Sequence, residues 1–217
     1  ILIGVHMKPT EVSEWSKFCN LERSYGFASF GFHPSTTHGD AYRFGARYSL
    51  ATDLSTVAIN GRTQNTSDGY AQLMKTVMAW GVVESYFSLY NINISHSNQR
   101  NVHLVPLYDP VKLTVLKSKL NNQQYFKFFT ELKLHVNNSH QAVINDYLAN
   151  PLGSYDVSYL CSAIRHVFAH GILTPHTGKV TPRVTVKICK ALVEFFLDIV
   201  SNEFGKKVRL HSNYASI

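Results

Sequence analysis

The sequence is poor in charged residues, which make up 16% of its 217 positions. Soluble domains carry about 25%, so we expect part of this surface to be covered by a partner. Glycine and proline are also scarce, at 12 and 7 residues, and this excludes collagen-like and linker-like chains. No stretch of 18 apolar residues occurs, so the sequence predicts no membrane span.

Cysteine is nearly absent: only Cys19, Cys161 and Cys189 occur, and none forms a CxxC pair. The odd count argues against a disulfide framework or a cysteine-based zinc site and favours a reducing compartment. Cys161 and Cys189 fall in apolar helical patterns and are predicted core residues. The apolar run at residues 1–7 lacks a basic region and a cleavage site, so we expect no signal peptide there and a cytoplasmic protein.

Apolar residues make up 45% of the chain, including 13 Phe and 12 Tyr, which predicts a packed globule. Lysine and arginine outnumber the acidic residues by 21 to 14, giving a net charge of +7. This balance favours a polyanionic partner such as nucleic acid. The densest basic cluster spans only residues 205–209, so an ordinary basic surface stays open as the alternative.

The apolar spacing predicts a mainly α protein, an antiparallel bundle of four or five helices, in a domain spanning residues 68–217. Residues 1–67 are predicted to form an irregular N-terminal extension with a helix over 10–23 and one or two strands within 42–59. Asp109-Pro110 and Thr181-Pro182 each combine a capping residue with a first-turn proline. The predicted helices of the bundle cover residues 68–90, 109–136 with breaks, 139–148, 154–170 and 182–204.

The most informative motif lies at the end of the fourth of these helices, where four residues separate Arg165 from His170, just before Gly171. Histidine transfers protons near neutral pH, and the guanidinium of arginine suits phosphate oxygens. The pair could cleave an RNA phosphodiester without a metal: the histidine would move a proton and the arginine would stabilise charge on the phosphoryl oxygens.

This motif resembles that of the HEPN superfamily, helical bundles with an Arg-x4–6-His pattern and a polar residue after the arginine. Here Arg165 is followed by His166, where many members carry asparagine, and Ala169 and Gly171 flank His170. The resemblance covers about residues 68–204. It implies a metal-independent endoribonuclease that needs no cofactor and works as a homodimer on RNA. Toxin–antitoxin and phage-defence settings are typical of such proteins, with an antitoxin protein as a possible partner.

The same resemblance allows a second function, because some HEPN proteins only bind or dimerise. Five residues turn an α-helix by about 140°, so Arg165 and His170 do not share a face, whereas His166 and His170 do. Arg165 could instead form an ordinary ion pair on the surface of the bundle. His170 could be a positive charge at the C-terminal end of the helix, where it interacts favourably with the helix dipole. A zinc-dependent hydrolase using His166, His170 and His176 is a third alternative, although no acidic ligand lies nearby.

Glu84 is the remaining candidate site residue, on the apolar stripe of the predicted helix 68–90. A buried carboxylate needs a partner, and Arg165 is the natural one, since some HEPN proteins have an acidic residue on the equivalent helix. A purely structural pairing is the alternative. The aromatic stretch 25–32 could stack RNA bases or pack against the bundle.

Overall fold

The computed structural model describes residues 9–216, which form α-helices joined by short loops and 3₁₀ turns, with no strand in that range. The predicted mainly α class is therefore confirmed. Residues 1–7, where no signal peptide is predicted, lie outside the described part. The helices are α1 (Trp15–Tyr25), α2 (His38–Asp53), α3 (Gln64–Ser88), α4 (Ser97–His103), α5 (Pro110–Leu120), α6 (Gln123–Leu132), α7 (Asn138–Ala149), α8 (Ser158–Ala169) and α9 (Pro182–Arg209).

Helix α3 lies at the centre of the bundle and packs against α2, α8 and α9. The side chain of Thr63 caps its start by accepting a hydrogen bond from the Thr66 N–H. Leu73 and Val83 are fully buried and Trp80 is nearly so. A helix that is apolar nearly all round must be covered on several sides, and this explains its central position.

The N-terminal part is more regular than predicted, and the prediction of strands within residues 42–59 is wrong. Most of that segment belongs to α2, which begins with a capping box between Thr37 and Asp40. Phe44 and Tyr48 are buried at helical spacing on one face, so burial follows a helical period rather than the alternation of a strand. The predicted domain boundary at residue 67 falls inside α3.

The aromatic stretch 25–32 packs mainly against the protein itself. Phe30 is buried and its ring lies 4.7 Å from that of Phe18. Phe27 and Phe32 are half-buried against the core, and Phe27 stacks on His38 at 4.9 Å. Tyr25 is the exposed member. These contacts account for the rings without a bound base.

The proline-marked helix starts are confirmed, since α5 begins at Pro110 and α9 at Pro182. Two other starts differ from the prediction. Helix α7 begins at Asn138, one residue before the predicted start, with Asn137 as its cap. Helix α8 begins at Ser158, four residues after the predicted start at residue 154, because the carboxylate of Asp156 accepts the Ser158 N–H and hydroxyl at 2.9 and 2.7 Å.

Cys161 and Cys189 are fully buried free thiols in the core, as predicted, and Cys19 is half-buried. Burial raises the pKa of both core thiols. They therefore behave as small apolar groups. In residues 9–216 no helix is long and apolar enough to cross a membrane.

Candidate functional site

The last turn of α8 carries three of the four predicted site residues. Arg165 and His166 are half-exposed, while His170 stands exposed at the residue that ends the helix. Gly171 adopts φ 74°, a left-handed conformation in which its N–H bonds the Phe168 carbonyl at 2.9 Å. The predicted glycine stop is thus confirmed, and it leaves His170 at the protein surface.

The structure brings Glu84 of α3 to Arg165 of α8. Their closest oxygen and nitrogen atoms, Oε2 and Nη2, lie 3.8 Å apart. The other carboxylate oxygen, Oε1, accepts the indole N–H of Trp80 at 2.9 Å. Trp80 is 2% exposed, so this hydrogen bond fixes the carboxylate from the buried side and leaves its second oxygen for the arginine.

The predicted contact between Glu84 and Arg165 is present, but the expected burial of Glu84 is wrong. The two side chains are 35% and 42% exposed, respectively. The carboxylate stands at the edge of the apolar stripe, where water reaches it, so the pair carries less desolvation cost than a buried one would.

His166 and His170 also come together, with ring centroids 4.5 Å apart in a T-shaped arrangement. Burial lowers the pKa of His166, and the positive charges of His170 and Arg165 lower it further. His166 is therefore within electrostatic range of both other residues of the motif and favours its neutral form.

No hydrogen bond joins Arg165 to His170 within residues 9–216. Their five-residue separation turns them to different faces of α8. The chain thus presents two pairs, Glu84 with Arg165 and His166 with His170.

A cleft of about 480 Å³ opens beside the ion pair. Six of its eight lining residues are polar, and five of the eight come from the loop that follows α3. The lining residues are Glu84, Ser88, Asn91, Ile92, Asn93, Ile94, Ser95 and Arg165. The guanidinium of Arg165 therefore borders a space large enough for a small ligand.

Sequence reasoning missed His140, which is half-buried against α8. Its Nδ1 faces the Asn137 Oδ1 at 2.9 Å and its Nε2 faces the Ser162 Oγ at 2.9 Å. Because Asn137 Oδ1 is an acceptor, Nδ1 carries the proton and Nε2 accepts the serine hydroxyl. Burial, helped by the charges of Arg100 and His166, lowers the pKa of His140 to about 4.

Arg100 is a second residue that sequence reasoning missed. It is 3% exposed, and its guanidinium lies 4.2 Å from the centre of the Tyr159 ring and 5.3 Å from that of Trp80. Its Nε donates to the Ile94 carbonyl at 3.0 Å. Arg100 thereby links the loop after α3, which lines the cleft, to the indole ring that donates a hydrogen bond to Glu84. A lone arginine in a polar stretch gave no signal of this burial.

In residues 9–216 no group of three or more His, Cys, Asp and Glu side chains could hold a metal ion. His176 lines a different cleft, together with Glu131 and His135. The zinc alternative built on His166, His170 and His176 therefore lacks an assembled ligand set in the described chain.

No known family model matches the sequence, and no curated protein or solved structure is significantly similar to the chain. The resemblance to the HEPN superfamily consequently depends on the motif at residues 165–171 and on the helical architecture around it.

Proposed function

We propose that this protein is a metal-independent endoribonuclease of HEPN type. The observation that carries the proposal is the last turn of α8. There Arg165 is held by Glu84 at the edge of a cleft, and the His166 and His170 rings touch at the exposed helix end. An arginine fork beside proton-transferring histidines is the minimal equipment for phosphodiester cleavage. The net charge of +7 favours a polyanionic substrate.

In the proposed reaction, a histidine removes the proton from a ribose 2′-hydroxyl, and the oxygen attacks the adjacent phosphorus. The bond from phosphorus to the 5′-oxygen breaks, the histidine gives a proton back to that oxygen, and the product ends in a 2′,3′-cyclic phosphate. His170 is the proposed proton-transfer residue because, of the two histidines in the motif, it is the exposed one and a substrate can reach it. Arg165 binds the phosphoryl oxygens as their charge grows.

Glu84 and His166 are proposed to position these two groups. The carboxylate orients the guanidinium of Arg165 and is itself oriented by Trp80. The His166 ring contacts that of His170 and favours the neutral form, so it orients its neighbour without adding a positive charge.

A homodimer is part of the proposal. Arg165 and His170 point to different faces of α8, so a cleft between the α8 ends of two copies would let the arginine of one pair and the histidine of another meet the same phosphate. A cytoplasmic toxin or phage-defence role, with a protein antitoxin as partner, stays a prediction from the resemblance.

The test is cleavage of a mixed-sequence RNA by the wild type and by the alanine variants of Arg165 and His170. Each variant should lose activity by roughly 10²–10⁴-fold while its helical content and oligomeric state are unchanged. His176→Ala is the matched control, since it removes an exposed histidine of another cleft, and it should cut normally. Addition of EDTA should leave cleavage intact.

A non-catalytic RNA-binding or dimerisation module is the second candidate. The observation that favours it is the ion pair itself, because Arg165 already has a partner in Glu84. If a folded, dimeric wild type cuts no RNA, or if both alanine variants cut normally, this second candidate replaces the first.

A further inference from the structure

The loop that follows α3 forms one wall of the cleft beside Arg165, and it is held in a fixed shape. The Ile92 N–H bonds the Phe87 carbonyl at 3.1 Å. The side chain of Asn93 accepts the Ser95 N–H and hydroxyl at 3.0 and 2.6 Å. Ile94 is buried, and its carbonyl accepts the Nε of the buried Arg100. The wall is therefore formed before any ligand arrives.

Asn91 stands out on this wall because it is exposed and its side-chain amide makes no hydrogen bond to any residue within 9–216. It adopts φ 57°, a left-handed conformation that turns the chain sharply after α3. The neighbouring polar groups differ: the hydroxyl of Ser88 donates to the Ser85 carbonyl at 2.7 Å, and Asn93 holds the loop. Asn91 is thus the lining amide whose donor and acceptor are both available.

The chemistry of this wall suits a nucleobase. A planar amide presents one donor and one acceptor side by side, which matches the hydrogen-bonding edge of a base. The half-buried Ile92 adds an apolar surface for the face of the ring. Arg165 lines the same cleft, and its guanidinium suits a phosphate. A nucleotide carries both a phosphate and a base, so one cleft offers a group for each part.

We infer that this cleft is a nucleobase subsite that binds the base of a nucleotide adjoining the scissile phosphate, with Asn91 contacting the edge of that base. The inference is built on the proposed ribonuclease function and adds to it a source of sequence preference. Cleavage should favour one base at one position next to the cut.

The experiment is cleavage of an RNA library randomised around the cut, with the products sequenced. Asn91→Gly is the informative variant, because glycine keeps the left-handed backbone and removes only the amide. The control is Asn121→Gly, at an exposed asparagine that ends α5 and does not line the cleft. We expect the wild type and the control to prefer one base by about 5- to 150-fold, the size of one good amide contact, and Asn91→Gly to lose that preference.

Each failure is distinguishable. If RNA is cut without base preference, or if Asn91→Gly keeps the preference, the subsite is wrong and the ribonuclease function stands. If the wild type cuts no RNA, the ribonuclease function fails. The subsite is then decided by calorimetric titration with the four nucleoside 3′-monophosphates: equal affinities for the wild type and Asn91→Gly overturn it, and a several-fold weaker affinity for one nucleotide in the variant supports it.

Discussion

The hydrogen bond from Trp80 to Glu84 can be separated from the ion pair to Arg165 by two substitutions of one residue. Glu84→Gln removes the negative charge but keeps an oxygen that can accept the indole N–H. Glu84→Leu removes both the charge and the acceptor. A comparison of the two therefore isolates the hydrogen bond.

The loss of unfolding free energy expected for each variant follows from the burial of the side chains involved. The ion pair spans 3.8 Å between side chains that are 35% and 42% exposed, so its loss in Glu84→Gln should cost about 0–1 kcal/mol of unfolding free energy. The indole N–H belongs to a side chain that is 2% exposed. Leaving it without an acceptor in Glu84→Leu should cost a further ~1–3 kcal/mol.

Urea denaturation followed by circular dichroism measures both differences. In the background of Trp80→Phe, which has no ring N–H, the gap between the Gln and Leu variants should disappear. A Leu variant as stable as the Gln variant would show that Trp80 does not depend on Glu84. A stability difference between the Gln and Leu variants that persists in the Trp80→Phe background would also show that the difference does not come from the indole hydrogen bond.

Two further predictions concern stability. Since folding lowers the pKa of His140 from 6.5 to about 4, the unfolded chain binds its proton more readily, and the stability from this group is present above pH 6.5 and lost as pH falls toward 4. Urea denaturation across that window should show a flatter pH slope for His140→Gln, and an unchanged slope would contradict the assignment. Gly171 has φ 74°, and a Cβ added there would meet no other atom within 4 Å. Gly171→Ala should therefore lower the free energy of unfolding by about 1–2 kcal/mol, the cost of the left-handed backbone alone. Gly178→Ala should cost more, because its Cβ would lie 2.3 Å from the Lys127 carbonyl oxygen, and equal losses in the two variants would refute this reasoning.

Local rules predicted those parts of the fold that depend on neighbouring residues in the sequence. The apolar residues of α3, the prolines that open α5 and α9, and the glycine after α8 each act within a turn or two of the chain. The prediction of strands in the segment of α2 is wrong because its Tyr and Phe residues suit strands as well as helices, and its helical burial depends on α3.

The candidate site was predictable in composition but only partly in geometry. The motif gave Arg165, His166 and His170, and the helical spacing gave the contact between Glu84 and Arg165. Spacing assigns a residue to a face but does not show whether a neighbouring helix covers it, so the exposure of Glu84 was missed. The burial of Arg100 and His140 comes from contacts made by distant segments, which one sequence does not reveal.

The most direct test of the account is the chemistry of the cut ends on an RNA with a single 2′-deoxy nucleotide at its preferred cleavage position. If His170 transfers a proton from the ribose hydroxyl and Arg165 stabilises the phosphoryl charge, the unmodified RNA should yield 2′,3′-cyclic phosphate ends, and the deoxy substitution should abolish that cut. Cleavage at the deoxy position, or products ending in a 3′-hydroxyl, would contradict the proposed mechanism.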